Sequence, residues 1–148
     1  MAEETEFPQI PEQSGRPQGL TVVCILSFIG AGLSAVSNIF FFLFHAQVIQ
    51  IIESGVYKEM GFDMTMIQGI GRNYFLWTGL LQLIAFQGVI QLWLMKRIGF
   101  HIYTISQILM LIVSSVYIYR PSGVFPAFDL VFTGTFVLIY FRYFNQMK

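Results

Sequence analysis

Long apolar stretches alternate with short polar breaks along this chain, and nearly all of the charge sits in the breaks. No Asp, Glu, Lys or Arg occurs from Pro17 to Ile52, from Asn73 to Met95 or from Ile98 to Tyr119, and the stretch from Pro121 to Phe141 carries only Asp129. A hydrocarbon core about 30 Å thick is crossed by roughly 20 helical residues, so each stretch is long enough to span a bilayer. The pattern predicts four transmembrane helices at about 20–44, 73–95, 98–119 and 125–143. Continuous runs of this kind argue against an outer-membrane barrel, whose strands read as segments of about ten alternating residues.

The first run, Leu20 to Ile52, would measure about 50 Å as one helix, more than a bilayer core accommodates upright. Gln47, Gln50 and Glu53 make its far end polar, so the span should end near Phe44. The segment beyond Phe44 is expected to lie at the interface, within an outer loop over 45–72 in which Asp63 is a candidate N-cap. Lys96 and Arg97, with Ile98 and Gly99, leave so short a connection between spans two and three that a hairpin is forced. Arg120, Pro121, Ser122 and Gly123 predict the next turn, and Pro126 suits the first turn of span four. The expected fold is an all-α integral membrane protein, an antiparallel bundle of four transmembrane helices with a long, extended first helix. Residues 1–19 form a separate tail, rich in Glu and Pro, expected to be disordered and cytoplasmic; residues 20–148 form one transmembrane domain.

Composition agrees with this reading. The chain is 55% hydrophobic and 11% charged, whereas soluble domains carry about 25% charged residues. Eight basic residues balance eight acidic ones, which leaves no excess of positive charge for nucleic acid. The single cysteine, Cys24, forms no intrachain disulfide and reads as a small hydrophobe. Arg16, Lys96, Arg97, Arg142 and Lys148 fall on one side of the expected topology, against Lys58, Arg72 and Arg120 on the other. The positive-inside rule then puts both termini in the cytoplasm. Tyr74, Trp77, Tyr117 and Tyr119 mark the outer span ends, and Trp93, Tyr103, Tyr140 and Tyr143 the inner ones, as interfacial aromatic residues do. With its tight basic hairpin from Met95 to Gly99 and no glycosylation sequon, the chain resembles short four-span bacterial membrane proteins. That resemblance implies the inner (cytoplasmic) membrane.

Several residues are candidates for a site. Ser27, Ala31 and Ala35, with Gly30 and Ser34 beside them, make a small-residue face on span one suited to close helix packing, within the bundle or against a second copy. Asp129 is the only acid in the last three spans. Near a helix N-terminus a carboxylate meets interfacial water and the positive end of the helix dipole; deeper in the bilayer it needs a cation, a proton or a polar cavity. Asp129, Thr133, Phe136 and Tyr140 share one face of span four, and Tyr103, Gln107, Met110 and Ser114 share one face of span three. With Gln87 and Gln91 of span two they would form a polar seam. His45, Arg72, Arg120 and Asp129 collect at the outer end, where a histidine beside a carboxylate is a candidate proton sensor. His101 has no acidic neighbour in sequence reach. Met60, Met64 and Met66 are thioethers of the kind Cu(I) selects, but without His or Cys they read as apolar contacts.

No phosphate-binding loop, zinc-protease motif or nucleophile setting is present in the sequence, so neither enzymatic activity nor a metal or other cofactor is expected. Two functions fit this pattern. One is a non-enzymatic accessory or scaffolding subunit, whose partners are the bilayer and other membrane subunits or a copy of itself. The alternative is a small transporter or proton-linked carrier using Asp129 and the seam.

Overall fold

The computed structural model describes residues 16–61, 65–120, 123 and 127–148, with only the backbone of Thr65 and Met66. Most of the acidic tail, Asp63 with its capping role, and Pro121, Ser122 and Pro126 of the expected last turn lie outside these residues. Helix is the only regular structure among the described residues. In chain order the helices are α1 (Gln18–Leu43), α2 (His45–Glu53), α3 (Val56–Glu59), α4 (Thr65–Gln68), α5 (Arg72–Trp93), α6 (Arg97–Ser114) and α7 (Ala127–Tyr143). A π-helical turn, Ser115–Tyr119, prolongs α6, and a 3₁₀ turn, Phe144–Gln146, comes after α7. Four of these elements, α1, α5, α6 with its π turn, and α7 with its 3₁₀ turn, are long and apolar enough to cross a membrane, which fits a multi-pass membrane protein.

The long first run breaks where its polarity changes. Phe44 leaves the helical conformation (φ −106°, ψ 22°), while the bonds Phe44 N–H to Phe40 O and Val48 N–H to Phe44 O, both 2.9 Å, carry the chain on into α2. A break orphans carbonyls at a helix C-terminus. Arg72 supplies one partner, donating from Nε to Phe42 O at 2.9 Å with its guanidinium 4.4 Å above the Phe42 ring. His45 Nε2 lies 3.1 Å from Ile70 O. The start of α5 is thereby fastened to the bend.

The core is inverted relative to a soluble bundle. On α1 the small residues Ser27, Ala31 and Ala35 are 6%, 6% and 3% exposed, while Ile29, Leu33 and Val36 are 61%, 67% and 67% exposed. Hydrocarbon solvates large side chains as well as a protein interior does, so small residues mark the faces where helices meet. The closest approach is between α5 and α6. A Cβ on Gly88 would stand 2.8 Å from Tyr103 N, and one on Gly99 would stand 2.7 Å from Gly88 O. Gly99 is thus a packing residue inside α6 and not part of the hairpin turn. The turn comes earlier, where Met95 adopts a left-handed conformation (φ 58°). Met95 N–H bonds Leu92 O and Lys96 N–H bonds Gln91 O, each at 2.9 Å, the paired bonds of a Schellman motif that caps α5.

Helix α7 stands apart. Tyr140 is its one buried residue, against seven in α5. It is held mainly at one end, where the buried Tyr140 hydroxyl donates to Ser27 Oγ at 2.7 Å and the ring meets Tyr103 edge-on at 5.0 Å. Close by, Lys148 N–H bonds Met95 O at 2.8 Å and Arg97 N–H bonds Lys148 O at 2.9 Å. Arg97 Nε also donates to Met147 O at 2.9 Å. Arg16 joins the same end, donating to Trp93 O at 2.8 Å with its guanidinium 3.5 Å above the Trp93 ring.

Candidate functional site

Because α7 is fastened near Tyr140 and packs thinly beyond it, a cavity of about 280 Å³ remains between α1, α5, α6 and α7. Each span contributes a polar group. Ser27 and Ser34 come from α1, Gln82 from α5, Tyr103, Gln107 and Ser114 from α6, and Asp129 and Thr133 from α7. Met110, Leu111 and Phe136 supply apolar walls, and Gly30 and Ala31 keep the α1 wall low. From Tyr103 to Ser114 a helix rises about 16 Å, so the lining forms an elongated crevice along the bundle. Leu26, Gly30 and Phe132 also line it and are exposed, so the cavity is not sealed on the side where α1 faces α7.

Asp129 lies in the first turn of α7, where unpaired N–H groups and the helix dipole favour a carboxylate. The Tyr119 hydroxyl donates to its Oδ2 at 2.7 Å. Tyr119 closes the π turn, whose extra residue per turn shifts the side chains beyond it, a departure from α geometry common at functional sites. Nearby, the Tyr74 and Ser114 hydroxyl oxygens lie 3.5 Å apart, and the Tyr74 and Tyr117 rings are 5.8 Å apart. Gln82 Nε2 donates to Met110 Sδ at 3.1 Å. A carboxylate has about four acceptor positions. Among the described residues Tyr119 is the hydrogen-bond partner of Asp129, and no Lys or Arg forms an ion pair with it. Among the described residues Asp129 is also the only formally charged side chain lining the cavity.

The sequence candidates therefore divide. Asp129, Thr133, Phe136, Tyr103, Gln107, Met110 and Ser114, from the two expected polar faces, all line this cavity, together with Ser27, Gly30, Ala31 and Ser34. Ala35 is buried. Tyr140 closes the cavity's end nearest the termini through its bond to Ser27. Gln87 and Gln91 do not line it; Gln82, which the seam omitted, does. The signal for Gln82 in the sequence is that the small residues Thr78 and Ala85 lie four before and three after it, on one helical face, and both prove buried. His45 and Arg72 serve the α1 to α5 junction instead. Arg120 is exposed, and no hydrogen bond or ion pair joins any of these three to Asp129 among the described residues. His101 is exposed and packs edge-on against Phe144 at 5.7 Å. Met60 is exposed, and Met64 lies outside the described residues.

Comparison of the chain with protein-family models, with curated proteins and with solved structures gives no match.

Proposed function

We propose that this chain is a non-enzymatic carrier, an antiparallel four-helix membrane protein that takes up a small solute or a proton at the cavity lined by Asp129 and passes it across the bilayer. The observation that carries this reading is the cavity itself, an elongated crevice lined by polar groups from four spans, with a carboxylate at one end that no Lys or Arg pairs with among the described residues. Intramembrane acids in such settings mark ion and proton paths. Both termini face the cytoplasm of a bacterial inner membrane, supported by the shared end of Arg16, Arg97 and Lys148 and the positive-inside rule. The α2 to α4 extension lies at the outer interface.

For the accessory or scaffolding reading, part of the small-residue face is already used: Ser27, Ala31 and Ala35 are buried inside the bundle, while Gly30 of the same face is exposed. An accessory or scaffolding role also draws on the α2 to α4 extension. Mild-detergent purification from native membranes tests it, since a stoichiometric partner would favour that role over the carrier.

The carrier reading is tested in vesicles containing purified protein and a trapped pH-sensitive dye, under a potassium diffusion potential. Proton entry above that of empty vesicles, lost in Asp129→Asn, is the expected result. Entry equal to that of empty vesicles would contradict a proton-linked carrier.

A further inference from the structure

Resting on the carrier reading, we infer that the cavity's ligand is an organic cation, an ammonium group on an apolar body, which enters sideways from the lipid between α1 and α7. The first ground is charge. Among the described lining residues there is no Lys, Arg or His to receive an anion, while Asp129 retains unused acceptor positions at one end. A carboxylate attracts a cation and repels an anion, the more strongly the less water separates them.

The second ground is the mixture of walls. An ammonium has three donors and no acceptor, and Asp129 and Thr133 of α7 with Gln107 of α6 bring acceptor oxygens to the lining of the crevice. Tyr103, Phe132 and Phe136 offer aromatic faces, which attract cations and shelter an apolar body. A fully hydrated inorganic ion would leave the apolar walls without a role. The third ground is access. Leu26 and Phe132 line the cavity while 54% and 57% exposed, and a Cβ at Gly30 would meet nothing within 4 Å. The rim between α1 and α7 is therefore open on a surface that hydrocarbon covers, a route suited to an amphiphile.

An ammonium on an apolar body is either a free lipophilic amine or the headgroup of an aminophospholipid. Binding of 2-phenylethylamine and of its neutral analogue 2-phenylethanol is measured by calorimetry on the full chain in maltoside micelles, against empty micelles. The amine should bind at least ~10-fold more tightly, one factor of ten being a modest charge preference. Asp129→Asn should abolish that preference, and Gly30→Leu, which fills the open rim, should weaken both ligands. Added phosphatidylethanolamine that competes with the amine, where phosphatidylglycerol does not, assigns the cation to a lipid headgroup; no competition assigns it to a free amine. Equal binding of amine and alcohol, both weakened by Gly30→Leu, would overturn the cation inference and leave the cavity as a binding site. No binding of either would overturn both. Retained Cys24 burial, read by thiol labelling, verifies that each variant is folded.

Discussion

The Tyr119 hydroxyl donates a 2.7 Å hydrogen bond to Asp129, tying the π turn that ends α6 to the first turn of α7. This bond fixes the carboxylate at one end of the cavity, while the Tyr140 to Ser27 bond fixes the other end. Between these two ties α7 makes few buried contacts, and the crevice is the space left over.

The Tyr119 to Asp129 pair should show energetic coupling. Hydrogen bonds to charged groups contribute roughly 1.5–3 kcal/mol in favourable settings, and interhelical bonds in membranes average about 0.6 kcal/mol. A double-mutant cycle with Tyr119→Phe and Asp129→Asn, read by denaturant unfolding in mixed micelles, should give a coupling of about 0.5–2 kcal/mol. Additive effects would mean that the bond does not hold α7 in place.

Gly88 and Gly30 should respond differently to a methyl group. At Gly88 the new atom would meet the backbone of Tyr103, which has no flexible end to give way, whereas at Gly30 it meets nothing within 4 Å. Gly88→Ala is expected to lower stability by about 1–3 kcal/mol, the usual scale for overpacking, and Gly30→Ala to leave it unchanged. Thermal exposure of the buried Cys24 to a thiol-reactive dye reports both without adding a label. Equal midpoints would contradict the close α5 to α6 approach.

Tyr140→Phe should loosen α7 without unfolding the rest. It removes the donor to Ser27 and leaves the edge-on contact with Tyr103. The expected cost is about 0.6–1.7 kcal/mol, from the average to the largest value for interhelical bonds in membranes. Cleavage by added protease after Tyr143, at the end of α7 that this bond holds, should accelerate, while the α1 to α5 junction, held by Arg72 and His45, should stay protected. Uniform acceleration at both places would show that α7 and the other three helices unfold together.

Much of this arrangement was legible in the residues because bilayer thickness is a hard constraint. Three charge-free runs and a fourth with one acid marked the four spans, and the break near Phe44 was signalled by Gln47 and Gln50 just beyond it. The lining faces of α6 and α7 were legible because helical spacing alone decides which residues share a face. Neighbour relations were not. That His45, Arg72, Arg120 and Asp129 stand near span ends says nothing of which ends adjoin, and here Arg72 and His45 are taken up by the bend. Gln87 and Gln91 were selected as polar, while the buried face of α5 is set by small residues. Gly79, Ala85 and Gly88 line that face, and it is the neighbouring Gln82 that reaches the cavity. Gly99 stood at the edge between the hairpin and span three for the same reason: the need for a glycine at a backbone crossing is invisible until the crossing is known.

Water access to the middle of the cavity is the most direct test of the central claim. Thr133→Cys lines the crevice, whereas Leu138→Cys on the same helix is 69% exposed on the hydrocarbon-facing side. In a Cys24→Ala background in proteoliposomes, both are treated with water-borne cationic and anionic thiosulfonate reagents, which react with hydrated thiols. The cavity account predicts that Thr133→Cys is modified, that the cationic reagent is favoured over the anionic one beyond its intrinsic reactivity, and that Asp129→Asn removes this preference. Leu138→Cys should stay inert. A Thr133→Cys as unreactive as Leu138→Cys would show a dry helix seam and contradict the carrier.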